Sequence, residues 1–323
     1  MSIRGRRNLG TYYLLLVVIV FTSFFVGRYN ISYNAILTDT QDAAILWNLR
    51  LPRILTAAFL GMVLAVSGAT FQLAFRNPLV GPDILGISQG ASFGAAVAIL
   101  YLSGNPLLIE ISATVFALIA FTVSYRASKT VRYGDDVLRL VLSGLVVSAF
   151  FSGCVGVMKS LADPLNELPE LTFWLLGGLS GALWDDFLYM LPFAAGGLIV
   201  LLAIRWRINL LSLDDEVATS LGVDPKQLRR VAIFASVVAT AAVTSVSGTI
   251  GWIGLLAPHI ARKLVGVDTR YVIPVSGAVG GCLMVIFDDI ARTISPGEIP
   301  LGIVVSFIGA PFFLYLLSRR TRI

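Results

Sequence analysis

Charge is scarce in this chain. Asp, Glu, Lys and Arg make up 13% of its 323 residues, roughly half of the ~25% usual for a soluble domain. Together with a 57% hydrophobic fraction, that shortage argues against a soluble globular protein, because the excess apolar surface has no core large enough to hide in. Histidine occurs once, at His259, too few to build a histidine-ligated metal centre. The two cysteines, Cys154 and Cys282, sit inside apolar runs and suggest neither a disulfide framework nor a metal site. No GxSxG, HExxH, paired-carboxylate or P-loop pattern is present. The chain is therefore not expected to be catalytic or to bind a cofactor, and nothing in it points to nucleic acid.

What the sequence has instead is long apolar runs, with a mean hydropathy of +0.85. A helix needs about 20 apolar residues to cross the hydrocarbon layer, since lipid offers an open backbone no hydrogen-bond partner. Runs of suitable length cover 11–27, 54–73, 84–102, 107–125, 137–158, 187–204, 231–250, 271–290 and 301–317. The first follows the basic stretch MSIRGRRNLG but has no clear cleavage site, so it is expected to be a retained span and not a signal peptide. Arg4, Arg6 and Arg7 at one end and Arg319, Arg320 and Arg322 at the other place both termini in the cytoplasm by the positive-inside rule, which requires an even number of crossings. The stretch GWIGLLAPHIARKL, 251–264, supplies a short tenth span. Only Arg28, Arg50, Arg53, Lys159 and Arg292 of the 24 basic residues then fall outside. Asp39, Asp42, Asp288, Asp289 and Glu298 lie among the acids of that outer face, Asp288 and Asp289 as a span end at the surface.

The expected architecture is all-α: a polytopic membrane protein of about ten helices, one short, forming a single transmembrane domain over 1–323. The triplet Val66-Ser67-Gly68, with Pro78 and Gly86, is echoed 180 residues on by Val246-Ser247-Gly248, Pro258 and Gly266. The second and seventh spans run in opposite directions, so the echo suits an inverted repeat, although chance matches among so many small residues would produce the same. Segment 160–186 predicts a short or re-entrant helix at the outer interface, with Trp174 and Trp184 at headgroup level.

Two polar regions remain. Inside, 205–230 contains Asp214-Asp215-Glu216, an apolar stripe and then Gly222, which predicts a short helix with acids in its first turn; a second is expected at 226–230. The pair projects toward a cytoplasmic partner or lies as an interfacial loop. Outside, Arg50 and Arg53 in LRLPR and Arg292 in DDIAR break the inside bias. They either pair with Asp288 and Asp289 or wait as fixed guanidiniums for the carboxylates of a docking protein. His259, after Pro258, is expected at a helix end, bonded to backbone.

These segments carry a resemblance. LRLPRILTAAFLGMVLAVSGATFQLAFRNPLVGPDILGISQGASFG (49–94), GTIGWIGLLAPHIARKLVG (248–266) and EIPLGIVVSFIGAPFFLY (298–315) resemble, in order and spacing, the three signatures of the iron-chelate and vitamin B12 permease family (FecCD/BtuC type), the type II ABC importers. The resemblance implies a ten-helix, non-catalytic permease with a short eighth span in a bacterial or archaeal cytoplasmic membrane, paired as a homodimer. It also implies two ATP-binding-cassette ATPase subunits, which hold the ATP and Mg, and an extracytoplasmic substrate-binding protein. By the same resemblance LDDEVATSLGV assigns Glu216, Ala218, Leu221 and Gly222 to ATPase coupling, and Arg50, Arg53 and Arg292 to binding-protein docking. It further assigns Asn77, Ser143, Ser148 and Ser152 to the translocation pathway. Import of a metal chelate by alternating access follows, with ferric siderophore favoured and heme, cobalamin or molybdate open. An ion-gradient transporter is the rival from another class, disfavoured because the spans show no buried acids.

Overall fold

The computed structural model describes residues 9–29, 40–102 and 104–318, and among these there is helix but no strand. Arg4, Arg6, Arg7, Asp39, Arg319, Arg320 and Arg322, used above to orient the chain, lie outside the described residues. The helices, numbered in chain order, are α1 (Leu9–Ser23), α2 (Thr40–Ile45), α3 (Leu51–Ala74), α4 (Ile87–Tyr101), α5 (Pro106–Ser128), α6 (Asp136–Leu161) and α7 (Glu167–Leu176). They continue as α8 (Trp184–Ile208), α9 (Asp215–Ser220), α10 (Pro225–Ser247), α11 (Ile253–Val265), α12 (Thr269–Thr293) and α13 (Leu301–Ser318). Helices α5, α6, α8, α10 and α12, together with α3 and its outward extension, are long and apolar enough to cross a membrane. Helices α1, α4 and α13 are apolar but shorter. The tenth expected span coincides with α11, 13 residues long, which carries Pro258 in its interior.

Helix boundaries run past the apolar stretches because polar residues cap them. The Asp224 side chain accepts from the backbone N–H groups of Lys226 and Gln227 at 2.9 and 3.2 Å, so α10 begins at Pro225, six residues before its apolar run. Asp135 and Asp268 cap α6 and α12 in the same way, each satisfying donors that a helix start leaves free. One correction follows: 226–230 is no separate short helix but the first turn and more of α10. At the other end of the bundle, a π-helical turn, Leu46–Arg50, joins α2 to α3 and carries the helix beyond LRLPR. The expected helix within 160–186 is α7, and the indole N–H of Trp184, at the start of α8, donates to the Trp47 carbonyl at 2.8 Å. As for the repeated triplet, Val66–Gly68 lies in the interior of α3, whereas Val246 and Ser247 end α10.

Helix α3 occupies the centre. Its residues from Ala57 to Ala74 are nearly all buried, and α10, α11 and α12 pack around it. The approach is backbone to backbone: a Cβ at Gly61 would lie 2.2 Å from the Gly280 carbonyl oxygen, and one at Gly68 would lie 2.0 Å from that of Gly254. Without a hydrophobic drive between helices in lipid, such close contact is how spans gain van der Waals attraction. In contrast, Gly153 and Gly156 on α6 face open space, and α6 and α13 expose broad apolar faces that include Val146, Phe150, Phe307 and Leu314.

The tight crossing predicts that Gly61→Ala and Gly280→Ala each lower the thermal unfolding midpoint in detergent, by an overpacking penalty of about 1–3 kcal/mol. Gly156→Ala, whose added carbon meets nothing within 4 Å, leaves the midpoint unchanged. Equal midpoints for all three variants would contradict the crossing.

Candidate functional site: two polar ends of one bundle

At the outer end, the three expected docking arginines come together, but they are already paired. The Arg53 guanidinium donates to both carboxylate oxygens of Asp288 at 2.9–3.1 Å and to Glu298 at 3.0 Å. Arg292 donates to the Ser23 carbonyl at 2.8 Å, to the Ser23 hydroxyl and to the Asp289 carboxylate. Arg50 donates to the carbonyls of Phe24, at 2.6 Å, and Tyr29. The network ties α12 and the 294–300 loop to α3 and to the end of α1. Asp288 is 1% exposed, which corrects the expectation of a surface carboxylate ending a span. It also corrects the claim that the spans hold no buried acid, although this one is neutralised in place. The pairing alternative for the arginines is therefore present in the structure, and it explains why they break the inside bias: each is held by buried or half-buried oxygens. Beside them lies a cavity of about 500 Å³, lined by Arg53, Glu298, the exposed Arg28, Glu170 and Trp174. Arg28 and Glu298, which the motif reading passed over, border this cavity; only their place beyond a span end signals them in the sequence.

At the inner end, α9 stands outside the bundle on a two-arginine clamp. The Asp215 carboxylate accepts from Arg76 at 2.6 Å and from Arg229 at 3.1 Å. Arg76 also donates to the Leu211 carbonyl at 3.0 Å, and Arg229 to that of Ala74 at 3.1 Å. The chain ending α3, the 209–215 stretch and the first turns of α10 thus share one polar knot. Burial opposes ionisation of Asp215, but the hydrogen bond from Arg229 and the charges of Arg229 and Arg76 outweigh it and hold the carboxyl below its usual range. Of the expected coupling residues, Glu216, Leu221 and Gly222 are exposed. Ala218 is fully buried, so it supports that surface from beneath instead of contributing to it.

The expected pathway residues divide. Asn77 is exposed and its side chain accepts from the Leu79 N–H at 2.9 Å, shaping the turn after α3. That turn leads through a short 3₁₀ segment, Pro82–Leu85, into α4, and a Cβ at Gly144 would meet the Ile84 carbonyl oxygen at 2.2 Å. Ser143 and Ser148 carry buried hydroxyls without a hydrogen-bond partner, whereas Ser152 is exposed beside Gly153. The three serines therefore do not form one lining. His259 sits mid-helix, its ring edge-on to Phe313 at 6.2 Å and its Nε2 unpartnered, not hydrogen-bonded at a helix end as expected.

The FecCD transport family matches residues 15–319. The chain belongs to this family and is an ABC transporter permease, a multi-pass protein of the inner membrane. It is 36% identical to the molybdate import system permease protein MolB of Haemophilus influenzae, over 96% of this chain and 94% of the relative. It is also 36% identical to the hemin transport system permease protein HmuU of Yersinia pestis, over 98% and 97%. Among solved structures it resembles an inward-facing conformation of a metal-chelate type ABC transporter, with a TM-score of 0.90 and 35% identity over 96% of this chain and 98% of the other.

Because Arg53 and Asp288 are buried and paired, removing either partner leaves an uncompensated charge costing about 3–5 kcal/mol. Arg53→Met and Asp288→Leu should each lower the unfolding midpoint sharply, while the double substitution recovers much of the loss. Additive losses would show that the pair does not couple.

Proposed function

We propose that this chain is the ten-span permease of a binding-protein-dependent importer, with both termini in the cytoplasm, working as a homodimer. The observation that carries the reading is α9: an exposed helix outside the bundle, knotted through Asp215, Arg76 and Arg229 to the ends of α3 and α10. A partner pressing on Glu216, Leu221 and Gly222 would move two long spans, since the clamp transmits displacement where a free loop would absorb it. ATP-binding-cassette ATPase subunits suit that surface. A second copy suits the open faces of α6 and α13, with Ser152 and its neighbouring glycines bordering the passage between copies. Asn77 would lie at its inner gate. Alternating access then follows from the two copies rocking as rigid bodies.

The outer network supports docking in a modified form. A binding protein that presents carboxylates would meet guanidiniums already shared with Asp288, Asp289 and Glu298. Association would thus exchange partners, with Arg28 at the exposed rim making the first encounter. For the cargo, a metal chelate is proposed and ferric siderophore is the member to test first. The apolar, small-residue face of α6 favours a bulky ligand held weakly and delivered by a high-affinity partner. Relatives of equal identity are named for molybdate and for hemin, so the three cargoes are tested together.

Proteoliposomes containing this chain, its ATPase and its binding protein should take up ferric siderophore only when ATP and the binding protein are both present, and insensitively to ionophores. Uptake by the chain alone, driven by an ion gradient, would overturn the proposal. In the complete system Arg229→Gln should lower uptake about tenfold, a coupling loss of ordinary size, while binding-protein association at the far end is unaffected.

A further inference from the structure

The largest cavity, about 1160 Å³, lies far from the outer network and plays no part in the transport reading above. It is a groove between α6 and α8, two helices without mutual contact, floored by α5 and α10. Its middle is aromatic and apolar: Phe121, Phe193 and Phe234 line it, with the last two more than half exposed. Gly196, on the same wall, has nothing within 4 Å of where a side chain would begin. On α10 the lining runs from Lys226 to Val238, about 18 Å of helix, which matches the ~15 Å depth of one leaflet's hydrocarbon.

One end of this groove is strongly basic. Lys129, Arg139, Lys226, Arg229 and Arg230 line it, against a single acid, Asp136. Arg229 is committed to Asp215 and Ala74. The other four are largely available. Lys129 lies over the Tyr125 ring at 4.6 Å. The Arg139 guanidinium is 3.7 Å from the Asp136 carboxylate, and its Nε is buried with no hydrogen-bond partner. Arg230 makes a 3.4 Å contact to the Lys226 carbonyl. Arg205, Lys226 and Arg230 all belong to the cytoplasmic side in the charge distribution, which puts the basic end at the inner headgroup layer.

We propose that this groove is a binding site for one anionic phospholipid of the inner leaflet. Its phosphate sits among Lys129, Arg139, Lys226 and Arg230, and its acyl chains lie along Phe193, Phe234 and the open wall at Gly196. Charge complementarity selects the headgroup, and the unpartnered Arg139 Nε supplies a donor with no other acceptor. The aromatic groove with one leaflet's depth selects a lipid over a soluble phosphate, which would leave the apolar length empty. The site does not depend on what the permease carries, because none of these residues belongs to the docking, coupling or passage sets.

Native mass spectrometry of the full chain, titrated in detergent with phosphatidylglycerol or with phosphatidylcholine of the same chain length, tests the proposal. One phosphatidylglycerol should bind at least about tenfold more tightly than phosphatidylcholine, given the attraction each basic residue adds near an anionic headgroup. The variant Lys129→Gln/Arg139→Gln/Lys226→Gln/Arg230→Gln should abolish that preference. Gly196→Trp, or the milder Gly196→Leu, should weaken binding of phosphatidylglycerol with all four charges intact, while a control change outside the groove, Gly156→Ala, has no effect. Unfolding midpoints measured alongside separate a lost site from a misfolded chain. Equal binding of the two lipids, or a preference that survives the fourfold variant, would overturn the proposal. Displacement of the lipid by inorganic phosphate alone would overturn it too, as would indifference to filling at Gly196.

Discussion

Everything else in this structure depends on one close contact, the glycine-lined crossing of α3 with α11 and α12. In lipid the surrounding solvent is as apolar as the side chains, so burying leucine yields little. Attraction between spans must then come from atoms brought into direct contact. Gly61 against Gly280 and Gly68 against Gly254 bring backbones to the limit of approach. That choice puts α3 at the centre of the bundle and leaves its two ends to carry polar groups. At one end Arg53 crosses to Asp288 on α12. At the other, the chain leaving α3 brings Arg76 to Asp215, and Arg229 reaches back to Ala74. One rigid rod thus joins the outer ion network to the inner clamp.

The arrangement gives physical content to the idea of a permease driven from below. A buried Arg–Asp pair contributes little net stability, since desolvation offsets attraction, but it is costly to break one-sidedly and so fixes which helices travel together. The outer network joins α1, α3 and α12; the inner knot joins α3, α9 and α10. Helices α6 and α13, which stand outside both, are the ones with open faces and glycines in free space. On the proposed reading the tied group moves as a body and the open faces are where the two copies meet and part.

Much of the fold was legible from periodicity and charge. The apolar runs located the spans to within a few residues, and the glycine-rich positions on α3 and α12 pointed to close packing. Boundaries shifted where polar caps such as Asp224 start a helix ahead of its apolar run, a local effect that hydropathy does not register. The site was harder. LRLPR and DDIAR identified the right arginines, but Arg53 and Asp288 lie 235 residues apart, and no local rule predicts that pairing. The same distance hid the burial of Asp288, which the sequence places beside a second acid at the apparent end of a span. Ala218 belonged to the right motif, yet only the turn of α9 decides that it points inward while Glu216 points out. Arg76 and Arg229, ordinary inside charges in the sequence, become the clamp only once α3 and α10 are adjacent.

The central claim is that the coupling helix and the central span form one rigid unit. Electron–electron distance measurements with spin labels at Leu221 and Leu49 test it most directly, in the assembled transporter with Cys154 and Cys282 replaced by serine. The account predicts that the Leu221–Leu49 distance within one chain stays constant between nucleotide-free and ATP-bound states, while the Leu221–Leu221 distance between the two copies changes. A change within the chain with a constant distance between copies would contradict it.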